Sequence, residues 1–443
     1  MDLRAILKGK TALFFTLGCK LNFAETSTIA QELQSIGVEK APDGDPADIC
    51  IINTCSVTSV ADRKGRTLIH RVIREHPNAV VVVVGCYAQL KGDEIVKIPG
   101  VDLVLGAGRK SEVVGKIAEY FAQEGDLSRQ HLFSATREHL HRFEEGCSSD
   151  DRTRHFLKVQ DGCNYACSYC TIPKARGVSR NGSIASLVAS AQRVAQEGGR
   201  EIVLTGVNIG DFGRSTGERF IDLVKALDQV EGIERYRISS LEPDLLSDEL
   251  VDFVASSRSF MPHWHLPLQS GSDTILRLMR RRYPTALFSN RLQRIKETMP
   301  DAFIGVDVIV GMRGETDALF QETFDFLSQQ PFTQLHVFSY SERSGTDALK
   351  INHIVAPQDK KIRNQRLQDL SQEHLSNFYK DFHGSVRPVL WERSEVDGMM
   401  LGFTDNYIRV AHPYQEALAG SITSTCIGVQ ENNDKGYCLS EIV

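Results

Sequence analysis

The chain has no apolar run long enough to cross a membrane: the longest uninterrupted one, Ala79–Val84, is six residues, against the ~18 that a span requires. Its first ten residues carry Asp2, Arg4, Lys8 and Lys10 where a leader would be apolar, so we expect a cytoplasmic protein with no membrane partner. It also lacks an excess of positive charge. The net charge of −6 excludes attraction to nucleic acid by the overall field, and any RNA contact must be local. Basic clusters do occur, at Arg63–Arg66, Lys174–Arg180, Arg280–Arg282 and Lys360–Arg366. The cysteines lack the even spread of a disulfide framework. Six of the ten lie in tight motifs or at expected strand ends, which fits metal ligation in a reducing compartment.

The densest chemistry lies between Val159 and Pro173, where Cys163, Cys167 and Cys170 form a C-x3-C-x2-C spacing. Thiolates packed so tightly are metal or cluster ligands. Three ligands complete neither a cubane cluster nor a tetrahedral zinc site, so either a distant side chain joins them or one metal position stays open. A zinc site with Cys147 as fourth ligand and a ferredoxin-like electron carrier are the plainer alternatives. The spacing, with Tyr169 just before the third cysteine, resembles the radical S-adenosylmethionine signature, in which a 4Fe-4S cluster offers its open iron to the amino and carboxylate groups of S-adenosylmethionine.

Before this motif, strand and helix patterns alternate. Strands are expected at Thr11–Leu17, Asp48–Ile52, Ala79–Val84 and Val101–Leu105, and helices at Glu25–Ile36, Val60–Arg74 and Glu112–Phe121, which together give a small parallel α/β sheet. Ligands of such a sheet gather beyond the carboxyl ends of its strands. Cys19, Cys55 and Cys86 each follow a strand there, so they form a second triplet or are three unrelated buried cysteines. Cys50 lies inside a strand. The polar stretch 125–151 reads as an interdomain connection.

After the motif, about six βα repeats over some 200 residues suggest a barrel or partial barrel. Polar and glycine residues concentrate after its strands: Thr205-Gly206-Val207-Asn208, Ser239–Pro243, Gln269-Ser270-Gly271-Ser272, Gly311–Glu315, and Ser341 with Gly345-Thr346. Singly each could be turn chemistry. From about Ser385 the pattern changes to short strands: Val386–Trp391, Met399–Phe403, Tyr407–Ala411 and Ser421–Ile427.

Nearly the whole chain is similar to the methylthiotransferases of the radical S-adenosylmethionine superfamily. Gly18-Cys19-Lys20-Leu21-Asn22 with Glu25-Thr26 resembles the branch acting on threonylcarbamoyladenosine; Asp161–Cys170, Pro173–Gly177, His265–Ser272 and Tyr340–Thr346 match the wider family. The resemblance implies an N-terminal α/β domain (1–124), a linker (125–151), a (β/α)6 partial TIM barrel (152–384) and a TRAM-like RNA-binding β-barrel (385–443). It implies two 4Fe-4S clusters, one on Cys163, Cys167 and Cys170 that cleaves S-adenosylmethionine to a 5′-deoxyadenosyl radical, the other on Cys19, Cys55 and Cys86 that carries sulfur. It places S-adenosylmethionine on Tyr169, Thr205, Gly206, Asn208, Ser239, His265, Gln269, Ser270, Asp307 and Gly311. The implied reaction methylthiolates carbon 2 of threonylcarbamoyladenosine at position 37 of tRNA, with a reductase or flavodoxin-type electron donor and a sulfur source as partners. No side chain is expected as an acid or base. A sister class acting on a ribosomal-protein aspartate and a non-enzymatic iron–sulfur carrier are the alternatives.

Three further expectations concern detail. The family usually has Phe-Pro where this chain has Met312-Arg313, so the Gly311–Glu315 loop is expected to be less rigid. The substrate carboxylate calls for a cation, with Arg176, Arg180, Arg280 and Arg281 as candidates. Between Ser385 and Val443 there are four Lys or Arg and eight Asp or Glu, so RNA contact there would rest on aromatics such as Phe403 or Tyr407, for which core packing is the alternative.

Overall fold

The computed structural model describes residues 2–42, 44–122, 131–133, 140–148, 153–430 and 436–443. The first unit is a six-stranded sheet in the order β2-β1-β3-β4-β5-β6, all ladders parallel. Its strands are β1 (Thr11–Thr16), β2 (Glu39–Lys40), β3 (Ile49–Thr54), β4 (Val80–Gly85), β5 (Leu103–Gly106) and β6 (His131–Phe133). Helices cover both faces, so the central strands are apolar throughout rather than alternating. Ile49, Ile51, Val80, Val82 and Val84 enter one core, while Cys50, Ile52, Val81 and Val83 enter the other. The helices are α1 (Leu3–Leu7), α2 (Lys20–Ser35), α3 (Ser59–Glu75), α4 (Cys86–Ile95) and α5 (Val113–Ala122). Helix α4 was not expected; it opens on Cys86 directly after Gly85, whose φ of 102° turns the chain out of the strand.

The stretch expected to be only a connection supplies β6, which pairs with β5, and a bridge between Cys147 and Leu157. Residues 125–130, 134–139 and 149–151 of that stretch, and the expected unit ends at 124 and 152, lie outside the described residues.

The second unit is an open barrel of two three-stranded parallel sheets. One holds β7 (Arg154–Lys158), β10 (Glu201–Thr205) and β11 (Arg235–Ile238); the other holds β12 (His263–Gln269), β13 (Phe303–Val310) and β14 (Gln334–Ser339). They meet where Leu241 N donates to His265 O at 3.0 Å. A two-residue hairpin, β8 (Gln160–Asp161) with β9 (Arg180–Asn181), brackets the cysteine loop. Among the described residues no ladder joins β7 to β14, and the N-terminal unit spans that gap. On one side Phe23 and Ala24 of α2 pack against Phe156 and Val203. On the other, Arg343 bonds Asp62 and Ser56, each at 2.7 Å.

A helix over Pro357–Asp381 follows β14. Its polar sequence hid it, although Leu367, Leu370, Leu375 and Phe378 are buried. It leads to a closed five-stranded barrel in the order β15-β16-β17-β19-β18, with β15 Val386–Val396, β16 Met399–Thr404, β17 Arg409–Pro413, β18 Ile422–Gln430 and β19 Cys438–Ile442. This barrel closes the amino-terminal end of the larger one. Arg235 donates to the carbonyls of Phe403 and Pro388, and Arg237 to those of Asp405 and Thr404, at 2.8–2.9 Å.

Candidate functional site

Cys19, Cys55 and Cys86 come together as the topology requires. They follow β1, β3 and β4, three neighbours in the sheet; the Cys55 thiol senses both Cys86 and Cys19, and the Cys86 thiol senses Cys19. Gly18 makes the approach possible: its φ is +105°, and a Cβ there would lie 2.6 Å from Cys55 Cβ. Cys163, Cys167 and Cys170 form the second group beyond β8. Backbone amides of Tyr165 and Ile172 point at Cys163 Sγ and Cys170 Sγ, at 3.3 and 3.4 Å. Arg281 Nη1 donates to Cys167 Sγ at 3.2 Å. Donors aimed at sulfur are what a thiolate ligand uses.

All six thiols are free. Burial pushes Cys55 and Cys163 up to about 11 and Cys170 up to about 12; a bound cation deprotonates such ligands. Among the described residues, three potential ligand atoms lie within 4.8 Å of one another only at His265, Asp307 and His336. Neither cysteine triplet is therefore drawn in to the sulfur spacing of about 3.8 Å that a single tetrahedral zinc imposes. Cys147, the alternative fourth ligand, faces Arg193 and Glu197 rather than either triplet.

A buried ion network joins the two cysteine groups. Glu25 of α2 accepts from Lys158 at 2.9 Å, from Arg176 at 3.0 and 3.1 Å, and from Lys110. Asp161 accepts from Lys158 at 2.8 Å and from Arg176 and Arg180 at 3.0 Å. Burial alone would raise both carboxyls, but the surrounding cations outweigh it and hold them well below the usual range. Four cations thus face two carboxylates, and the surplus faces the first triplet: Cys86 senses Arg176 and Lys110. Cluster thiolates are the anions that such a surplus would balance.

The loops at the carboxyl ends of the barrel strands supply the remaining expected residues. Gln160, fully buried, accepts from the amides of Val207 and Asn208 at 3.0 and 2.9 Å and donates to Gly162 O at 2.7 Å, locking the Thr205–Asn208 loop to the cysteine loop. Both side-chain atoms of Asn208, and Ser239 Oγ, are buried without a hydrogen-bond partner. Such atoms are satisfied by a bound polar molecule, which is the behaviour expected of a S-adenosylmethionine cradle. Gln269 has φ of 74°, an unusual backbone state for a residue with a Cβ. Tyr169 packs beside Met279, Met312 and Tyr340. Ser270 is different: its hydroxyl is fully buried against Thr323 at 3.1 Å and accepts from Ser272 N, so it supports the turn.

His265 Nε2 lies 2.7 Å and His336 Nδ1 3.1 Å from Asp307 Oδ1. Burial opposes ionisation of Asp307, yet the two imidazoles hold its carboxyl well below the usual range. His336 was not among the expected residues; alternation along Leu335–Phe338 places it on the face shared with Asp307, its register partner.

Several expectations are corrected. The Gly311–Glu315 loop is clamped without a proline: Met312 is fully buried, Arg313 donates to Leu349 O and to Glu342 at 2.7 Å, and Gly311 N donates to Glu315 at 2.8 Å. Of the four candidate cations, Arg176 and Arg180 are buried in the ion network, Arg281 is taken up by Cys167 and Glu242, and Arg280 is paired with Asp347 at 2.7 Å. Burial pushes the Glu242 carboxyl up to about 7 even with Arg281 against it. Phe403 and Tyr407 stack on each other with centroids 4.8 Å apart, under Arg154 and Arg237, so they serve the joint between the barrels instead of an RNA surface.

Residues 11–106 match the uncharacterized protein family UPF0004, and residues 157–327 match the radical SAM superfamily. The threonylcarbamoyladenosine tRNA methylthiotransferase MtaB of Bacillus subtilis is 37% identical over 423 residues, 94% of this chain and 93% of that protein. The protein of the same name from Aquifex aeolicus is 36% identical over 399 residues, 90% of this chain and 95% of its own length. Among solved structures, the radical S-adenosylmethionine methyltransferase TsrM of Kitasatospora setae has a TM-score of 0.57 at 14% identity, covering 74% of this chain and 73% of that one, which is a likeness of fold.

Proposed function

This chain belongs to the radical S-adenosylmethionine tRNA methylthiotransferase family, and from that premise we propose that it adds a methylthio group to carbon 2 of threonylcarbamoyladenosine at position 37 of tRNA. The observation that carries this reading is the pair of free thiol triplets beyond the strand ends of two sheets, tied together by one buried ion network. A carrier of a single cluster needs neither the second triplet nor the orphaned polar atoms of Asn208 and Ser239.

The cofactors are two 4Fe-4S clusters and S-adenosylmethionine, which when bound supply one-electron chemistry and sulfur. Cys163, Cys167 and Cys170 hold one cluster and Cys19, Cys55 and Cys86 the other. Asn208, Ser239 and the Thr205–Gly206 backbone bind polar groups of S-adenosylmethionine, and Arg281 donates to the sulfur of Cys167, which sets the charge at that ligand. The N-terminal unit, laid across the gap between β7 and β14, keeps bulk water from the space between the clusters. We divide the chain into an α/β unit (1–124), a connection (125–151), the barrel (152–384) and the RNA-binding β-barrel (385–443). An electron donor of the reductase or flavodoxin type and a sulfur source act with it in the cytoplasm; no helix of the described residues is long and apolar enough to cross a membrane.

The test is mass spectrometry of nucleosides after reaction of the reconstituted enzyme with tRNA carrying threonylcarbamoyladenosine, plain adenosine or an isopentenyl group. Methylthio product is expected mainly from the first. Equal product from plain adenosine, or product only on a ribosomal protein, overturns the substrate assignment.

A further inference from the structure

With the four arginine candidates occupied elsewhere, the cation that selects the substrate remains to be found, and the barrel interior holds one. Lys20 is the first residue of α2 and directly follows Cys19. Because α2 packs on Phe156 and Val203, Lys20 enters the barrel through its lateral gap. Its electrostatic neighbours are Tyr407, Arg154, Arg237 and Glu201, and it also acts on His263. These residues form the floor of the barrel, at the amino-terminal ends of its strands. Lys20 keeps partial contact with solvent there.

The floor carries more positive charge than its acids balance. Arg154 is paired with Glu392 at 3.0 Å and accompanied by Tyr407 OH at 3.2 Å. Arg237 holds Glu201 at 2.9 Å, Arg235 stands 3.8 Å from the same carboxylate, and both donate to carbonyls of the small barrel. Lys20 alone among these cations forms no hydrogen bond or ion pair among the described residues. Arg154, Arg237 and the His263 ring thus stand around it, with Glu201, already held by two arginines, as the acid facing it. A partly dehydrated ammonium in such company is stable chiefly when an anion joins it.

His265, Asp307 and His336, midway along their strands, keep side-chain exposures of 20%, 18% and 41%, high for residues inside a barrel. His265 stands two residues further along β12 than His263, the ring beside Lys20. An adenine held with its reacting carbon near the cysteine groups would have its N6 substituent directed past these side chains, toward His263 and Lys20.

We propose that Lys20 is the specificity residue that receives the carboxylate of the threonylcarbamoyl group. This rests on the function proposed above. The ammonium supplies a charge-assisted hydrogen bond to a monoanion, and Arg154 and Arg237 raise the local potential that draws it in. The placement joins recognition to chemistry, since the residue that reads the substituent adjoins a ligand of the sulfur-carrying cluster.

The experiment uses reconstituted holoenzyme and an anticodon stem-loop RNA bearing either threonylcarbamoyladenosine or its threoninamide, in which the carboxylate is neutral. The quantity read is the ratio of kcat/KM for the acid over the amide. Wild-type protein should favour the acid by roughly 10- to 100-fold, the worth of a hydrogen bond to a charged group; Lys20→Met should bring the ratio close to one, and Lys20→Arg should keep most of it. Iron content and spectra of both clusters are recorded for each variant. A wild-type enzyme that treats acid and amide alike overturns the proposal without reference to any variant. So does Lys20→Met that keeps the wild-type ratio, or that loses both substrates equally with both clusters intact, since Lys20 would then only balance Glu201. Failure of wild-type protein to methylthiolate the acid-bearing RNA at all is a separate result, which removes the proposed function itself.

Discussion

Replacing Glu25 with Gln tests the ion network that joins the two cysteine groups. The substitution keeps the side chain's shape and removes its charge. Lys158 then retains Asp161 at 2.8 Å, and Arg176 retains Asp161 at 3.0 Å and Asn22 at 2.7 Å. Lys110 does not fare so well: it is 4% exposed, and Glu25 is its carboxylate partner. Leaving a buried charge without its counterion costs about 3–5 kcal/mol, and the amide oxygen of the new Gln recovers part of this through one hydrogen bond. We expect a net loss of about 3 kcal/mol in anaerobic urea unfolding followed through the N-terminal unit. Lys110→Met removes the stranded ammonium, so the double variant Glu25→Gln/Lys110→Met should be more stable than Glu25→Gln alone, with a coupling of about 0.5–3 kcal/mol. A Glu25→Gln protein within about 0.5 kcal/mol of wild type, or strict additivity of the two changes, would refute the reasoning.

Two further outcomes follow from the cysteine geometry. Gly18→Ala puts a Cβ 2.6 Å from Cys55 Cβ and 3.0 Å from its Sγ at a φ of +105°, so it should displace that ligand and lower bound iron by up to half while leaving the other cluster's spectrum unchanged; full iron content in this variant contradicts the packing. Replacing Cys163, Cys167 and Cys170 together with Ala should remove about half the iron and abolish reductive cleavage of S-adenosylmethionine, measured as 5′-deoxyadenosine, and undiminished cleavage would reassign that cluster.

Periodicity made most of the fold legible. Five consecutive valines in β4, and apolar residues recurring at helical spacing around Ile29 and Leu33, admit few readings. What it hid has local causes. The helix over Pro357–Asp381 is mostly charged and polar, because only a narrow strip of it touches the core. β7 is short, and its residues include Arg154 and Lys158, which look like surface charges until the barrel floor and the ion network give them partners. In the site, spacing alone announced Cys163, Cys167 and Cys170, and the strand-end rule brought Cys19, Cys55 and Cys86 together. The partners of the arginines stayed hidden, since Arg176 finds Glu25 at a separation of 151 residues and Arg281 finds Cys167 at 114. His336 escaped notice, since a histidine in a strand carries no signal until a fold sets it inside a barrel, and Lys20 stood only as one letter of the motif around Cys19, with no role for its side chain.

The claim on which the account depends is the division of labour between the two cysteine groups. It is tested by replacing Cys19, Cys55 and Cys86 with Ala, reconstituting the other cluster anaerobically, and measuring 5′-deoxyadenosine and methylthiolated nucleoside from the same reaction with tRNA. The account predicts that 5′-deoxyadenosine still forms and the methylthiolated nucleoside does not. A variant that is folded, holds the cluster on Cys163, Cys167 and Cys170, and either makes the methylthio product or fails to cleave S-adenosylmethionine contradicts it.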